Sequence, residues 1–185
     1  MQKTVNTLQS NRTRNITLTA LVAALYAAIT LVIAPIGFGP VQLRLSEGLN
    51  HLTAWNKRYI IALGLGVFIA NLISPLGWID WVFGTAGTLI MTSVTYLLTR
   101  KVHYAVWKII ISSTVVSTLG MAILAAEFTF AFNIGASGSF ASGSSGGIFA
   151  QWFAYYISVV PGELVSLIVG GVLIFTLNKV VKLEK

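Results

Sequence analysis

The chain of 185 residues has no cysteine, two histidines, four prolines and only five acidic residues. Without cysteine there is no disulfide and no thiolate metal site. No cluster of four histidines and acids suggests a metal by other ligands, and no cofactor is expected. The pattern GxxxxGK[ST] is missing, so the chain has no phosphate loop with which to drive its own ATP hydrolysis. Charge of either sign is scarce: 9% of residues are Asp, Glu, Lys or Arg, against about 25% in a soluble domain. Apolar residues take their place, at 56%, with a mean hydropathy of +0.83. This is the composition of an integral membrane protein. A net charge of +7 would point to nucleic acid in a soluble chain. Here the basic residues sit in short loops and tails, where they orient a membrane protein, and no nucleic-acid partner is expected.

Apolar runs predict helices over 16–35, 59–74, 80–99, 104–128 and 149–178, preceded by a tail over 1–15. Arg12 and Arg14 before the first run resemble the front of a signal peptide. The run is nearly as long as the roughly 20 residues that cross a bilayer, and further spans follow, so a retained first helix is expected. The segment 44–55 is helix-like but short. As an α-helix it would rise about 18 Å, less than a hydrocarbon core of about 30 Å. The basic residues favour counting it as a crossing. Six crossings with both termini in the cytoplasm place eleven of the twelve Lys and Arg residues on one side, as the positive-inside pattern requires. Arg44 is the exception. The expected fold is all-α, a single domain of six transmembrane helices in the bacterial plasma membrane.

The stretch 34–47 interrupts the apolar character with Pro35, Gly37, Gly39 and Pro40, then sets Arg44 and Glu47 three residues apart. Charges inside apolar runs are costly in lipid and mark function or a buried partner. Counting about 1.5 Å per residue from the nearest basic loop places Glu47, Asp80, Glu127 and Glu163 at or above the midplane, on the side away from those loops. Arg44, Asn71, Trp78 and Trp81 fall at similar depths. Glu184 belongs to the tail. Each residue also has a plain structural reading: an ion pair for Arg44 and Glu47, a helix N-cap for Asp80 after the turn 74–78, belt aromatics for Trp78 and Trp81, and an interfacial acid for Glu127. Glu163 is hardest to explain that way, because it follows Pro161 and Gly162 inside an apolar run, where a helix break would expose backbone beside a carboxylate. Four carboxylates against one guanidinium would suit a small ligand that is cationic or rich in N–H donors, with rings nearby to stack on a planar one.

On the first helix Ala20, Ala23, Ala24, Ala27 and Ala28 share an arc of about 140° at 100° per residue. Such a small-residue face allows close helix approach in lipid, either within the chain or with a separate membrane subunit. Ala62, Gly66 and Ala70 form a similar row. The loop 135–147 is nearly all Gly, Ser and Ala and reads as flexible. It contains two matches to the GxSG of rhomboid-type intramembrane serine proteases, around Ser137 and Ser145. A nucleophilic serine needs a base, and no histidine follows His103; His51 and His103 both fall toward the basic side. An intramembrane serine hydrolase is therefore the weaker alternative.

The runs APIGFGPVQLRLSEGL over 34–49 and IANLISPLGWIDWVFGT over 69–85, with Pro161, Gly162 and Glu163, resemble the QueT-type S component of energy-coupling factor (ECF) transporters. The resemblance covers nearly the whole chain. It implies a six-helix substrate-binding subunit that captures a queuosine precursor, a 7-deazaguanine such as the aminomethyl form, from outside. It also implies docking through the alanine-rich first helix onto a transmembrane coupling subunit driven by two ATPase subunits, and a gate over the pocket at 35–44. The segment Asn50 to Trp55 lacks the proline that often follows the helix 2 acid in that family, and the Gly/Ser loop is foreign to it. Both departures bear on the ligand, and an S component for another vitamin or heterocycle is the nearer alternative.

Overall fold

The computed structural model describes residues 2–38, 42–134, 147–181 and 183, with side chains from residue 12 onward. The described residues contain helices and no strand. We number the six main helices α1 (Gln2–Val32), α2 (Leu45–Ala54), α3 (Arg58–Asn71), α4 (Asp80–Thr99), α5 (Ala105–Asn133) and α6 (Ile148–Val180). A single extra turn, Ala34–Gly37, follows α1. Four stretches are long and apolar enough to cross a membrane: Arg12–Val32, Asp80–Thr99, Ala105–Asn133 and Ile148–Val180. Arg58–Asn71 is apolar but shorter.

Two boundaries and one internal break differ most from the sequence expectation, and α1 and α3 each end three residues early, at Val32 and Asn71. α1 begins at Gln2, not near 16, because a helix satisfies its own backbone and continues past the apolar run that lipid requires. α5 runs to Asn133 rather than 128, since the apolar residues Phe128, Phe130 and Phe132 continue beyond Glu127. The break expected at Pro161 is not there: α6 is continuous from Ile148 to Val180 with Pro161 inside it. Proline removes one backbone donor, and a membrane helix tolerates that loss when neighbouring helices support it.

The segment between α1 and α3 is the centre of the fold. α2 is a 3-10 helix of ten residues, longer than the usual three or four. At about 2.0 Å per residue it spans about 20 Å, more than an α-helix of that length. It touches all five longer helices, and every residue from Ser46 to Ala54 is buried. Five polar side chains can therefore lie along it out of contact with lipid. The Thr30 and Ser46 hydroxyls are 2.6 Å apart, His51 Nε2 lies 3.0 Å from the Leu167 carbonyl oxygen, and Thr53 Oγ1 donates to the Asn50 carbonyl at 2.7 Å. Irregular backbone at membrane depth is tolerated where protein surrounds it.

Around this axis α1 packs on α3, α3 on α4, and α5 on α6, while α6 also lies along α2. The small row on α3 makes the α1 contact close: a Cβ on Gly66 would be 2.8 Å from Tyr26 Cβ. The alanines of α1 divide. Ala23 and Ala27 are buried toward the bundle, whereas Ala20, Ala24 and Ala28 are exposed. One apolar core joins α1, α2 and α3 near Tyr26, Leu52, Tyr59 and Leu63; a second lies at the other end around Leu76, Met121, Phe128 and Val159. The polar residues lie between them.

Candidate functional site

Arg44 stands at the entrance to α2 as its N-cap residue. It is 6% exposed and held from three directions. Its Nε donates to the Gly37 carbonyl at 3.3 Å, its guanidinium lies 4.9 Å over the Phe38 ring, and its Nη2 is 4.0 Å from Asp80 Oδ2. The ion pair is thus Arg44 with Asp80 rather than Arg44 with Glu47. Arg44 is the N-cap and has extended backbone outside the 3-10 helix, so the helical repeat does not set its side chain beside that of Glu47. Instead the Glu47 carboxylate accepts from the Tyr26 hydroxyl and from Asn50 Nδ2.

Asp80 opens α4, whose first turn, Asp80–Gly84, is π-helical. Such bulges frequently occur at functional sites. Asp80 caps no helix: the N-cap position belongs to Ile79 and has no side-chain bond. Asp80 accepts from the Ser74 hydroxyl, its carbonyl accepts from Asn71 Nδ2 at 3.0 Å, and its Oδ1 has no partner. Glu127 approaches from α5 and faces the Asp80 carboxyl. It is buried, not interfacial, and neither of its oxygens has a hydrogen bond of ordinary geometry. Glu163, from α6, lies beside Glu47 with Oε1 unpartnered.

The four acids predicted from sequence thus converge from four separate elements on one arginine. A cavity of about 40 Å³ runs between Arg44, Glu47 and Glu127, walled by Val67, Phe83, Met91, Met121 and Leu124. Three glycines keep the wall thin. A Cβ on Gly84 would be 2.6 Å from Asn71 Nδ2, on Gly87 2.9 Å from Ile123 Cγ2, and on Gly120 2.5 Å from Met91 Sδ. Asn71 sits behind that wall with its Oδ1 unpartnered. Trp78 is 55% exposed and Trp81 half-buried, with an indole N–H that has no acceptor; neither lines the cavity.

Tyr26, Asn50 and Ser74 escaped the sequence reading, although each supplies a hydrogen bond to a site carboxylate. A tyrosine on the same helix face as Ala23 and Ala27 and an asparagine one 3-10 turn after Glu47 were the available signals. Gln42 was missed too. It is buried, its φ is +51°, and its Oε1 has no partner. The expected gate at 35–44 is described at 35–38 and 42–44; residues 39–41 lie outside the described residues. So do the GxSG serines at 137 and 145, nearly all of the Gly/Ser loop, and Glu184. His51 is in the core and His103 is exposed.

A bundle of apolar helices that encloses charged side chains around a cavity is a multi-pass membrane protein built to hold a polar solute. That is the architecture of a membrane transporter. The chain belongs to the QueT transporter family, whose model matches residues 16–179. It is 39% identical over 93 residues to the queuosine precursor transporter QueT of Lactococcus lactis subsp. cremoris (strain MG1363). That match covers 49% of this chain and 54% of the relative, so it spans about half the length of each. No solved structure matches the chain. Membership places the protein in the bacterial cell membrane.

Proposed function

We propose that this chain is the substrate-binding S component of an ECF-type importer and that it takes up a queuosine precursor, a 7-deazaguanine such as the aminomethyl form. The observation that carries the reading is the convergence of Glu47, Asp80, Glu127 and Glu163 on the single guanidinium of Arg44. This surplus of negative charge complements a cationic ligand with several N–H donors. The likeness to the Lactococcus relative supports the same ligand class.

Glu127 is the best acceptor for the N1–H and 2-amino edge of the base, because it lines the cavity and has no hydrogen bond of ordinary geometry beside the facing Asp80 carboxyl. A carboxylate accepts such a pair in bidentate fashion. Glu47, already oriented by Tyr26 and Asn50, balances the ammonium. Arg44 and Asp80 hold the entrance of α2 against the first turn of α4. Ligand cavities usually exceed about 300 Å³, so admission of a bicyclic base requires the wall to yield. Met91 and Met121, with their flexible thioethers, are the side chains suited to do so. The segment 35–44 acts as the gate.

In this reading six crossings place both termini in the cytoplasm, with α2 crossing inside the shelter of the other helices and α3 presenting Ile61, Leu65 and Phe68 to the lipid. The exposed Ala20, Ala24 and Ala28 form the docking face for a transmembrane coupling subunit, and two partner ATPases supply the energy. Titration of purified Glu127→Gln protein with the aminomethyl deazaguanine tests the site. Loss of a charge-assisted hydrogen bond is worth about 1.5–3 kcal/mol, so affinity should fall about 10- to 100-fold. Unchanged affinity removes Glu127 from the ligand.

A further inference from the structure

Burial runs against hydropathy just before α2. Gln42 and Arg44 are each 6% exposed, whereas Leu43 is half-buried and Leu45 is 37% exposed. The polar side chains turn toward the bundle and the leucines between and after them turn away, the alternation that extended chain produces. Arg44 lines the polar cavity and Gln42 does not. Cα atoms two residues apart lie at most about 7 Å from each other, so Gln42 stands just beyond the Arg44 end of that cavity.

Gln42 carries two unrelieved costs. Its φ of +51° is the one positive value at a non-glycine residue among the described residues, in a region that glycine enters freely and other residues enter at a cost. Its buried Oε1 has no hydrogen-bond partner, and an acceptor withdrawn from water and left unpaired is costly as well. The nearby guanidinium does not relieve it, since Arg44 donates to the Gly37 carbonyl and pairs with Asp80. Strain and an orphaned polar group at one residue beside a site mark a group held ready for a partner.

We propose that Gln42 is a specificity residue of the site, its side-chain carbonyl accepting an N–H of the bound base. This rests on the ligand reading above. There the N1–H and 2-amino edge goes to Glu127 and the ammonium to Glu47, which leaves the pyrrole N–H of the 7-deazaguanine as the donor still without an acceptor. A neutral amide suits a neutral donor; a fifth carboxylate would add charge with no cation to balance it. Because the acceptor is already out of water, a base that lacks the N–H leaves it unpaired and is rejected.

Calorimetric titration of the purified full-length protein with 7-aminomethyl-7-deazaguanine, and with its analogue methylated on the pyrrole nitrogen, tests it. The wild-type protein should favour the unmethylated base at least about tenfold. Gln42→Met keeps the length of the side chain and deletes the acceptor. It should bind the unmethylated base about tenfold more weakly and separate the two ligands by less than about threefold. Its ligand-free melting temperature should not fall, because an apolar group replaces an unpaired acceptor. Wild-type affinity in Gln42→Met, or undiminished discrimination between the ligands, overturns the proposal. So does a lower melting temperature with both ligands weakened equally, which would make Gln42 a structural residue. Failure of the wild-type protein to bind the unmethylated base would overturn the ligand reading together with this inference; the other results overturn this inference alone.

Discussion

Gly48 and Gly170 meet backbone to backbone where α2 crosses α6. A Cβ built on Gly48 would be 2.7 Å from Gly170 Cα, and one built on Gly170 would be 2.2 Å from Gly48 Cα. No side chain fits between them, and the contact lies one residue from Glu47. Carboxylates on two elements, Glu47 and Glu163, are held side by side across this junction.

Gly48→Ala should accordingly destabilise the protein, by about 1–3 kcal/mol as for overpacking of a filled interior. Thermal unfolding in detergent measures it. Gly147→Ala, at the N-cap of α6 with nothing within 4 Å of the added carbon, loses only capping preference and should lower the melting temperature far less. An equal fall in melting temperature for the two variants would mean that α2 and α6 are less tightly joined than their backbones suggest.

Arg44 is the one guanidinium that faces all four site acids. Removing one partner of a buried pair typically costs about 3–5 kcal/mol. Arg44→Met should therefore lower the unfolding temperature more than Asp80→Asn does, since it leaves four carboxylates and no cation. Combining the two substitutions should be less harmful than their sum. Strict additivity in that cycle would show that the 4.0 Å pair contributes nothing specific.

Tyr26 donates to Glu47 from α1. Tyr26→Phe keeps the ring and deletes the donor, so it should cost about 1–3 kcal/mol of stability and weaken ligand binding several-fold. Calorimetric titration beside a thermal melt reports both. A variant with wild-type affinity would separate Glu47 from the ligand.

The two halves of the alanine face should respond differently to bulk. Ala24→Trp, on the exposed half, should abolish co-purification with a coupling subunit and leave ligand affinity intact. Ala23→Trp, on the buried half, should fail to yield folded protein. If the complex survives Ala24→Trp, that surface is not where the partner docks.

The site acids were legible because lipid makes an unpaired charge costly, so each carboxylate inside an apolar run stands out. Their depth followed from counting residues along helices, and that count put Glu47, Asp80, Glu127 and Glu163 at the midplane or above it, on the side away from the basic loops. Which acid Arg44 would face did not follow. Arg44 lies just before α2, with non-helical backbone, and the pattern of 44–55 alone does not show that the helix starts after it. Trp78 matched the pattern of a ligand-stacking ring as well as that of a belt residue, and only its exposure separates the two. Pro161 carried the usual signal of a helix break, yet its neighbours in space support a continuous helix.

Hydropathy and the scarcity of charge determined by themselves that this is a helical membrane protein, and roughly where each helix lies. Those properties act along the chain, through the solvent that each segment must face. Tertiary structure alone decided that Tyr26 holds Glu47, that Asp80 takes Arg44, and that Glu127 faces Asp80. Such pairings join residues from different helices, and their partners are set by how the helices cross around α2, which no local pattern encodes.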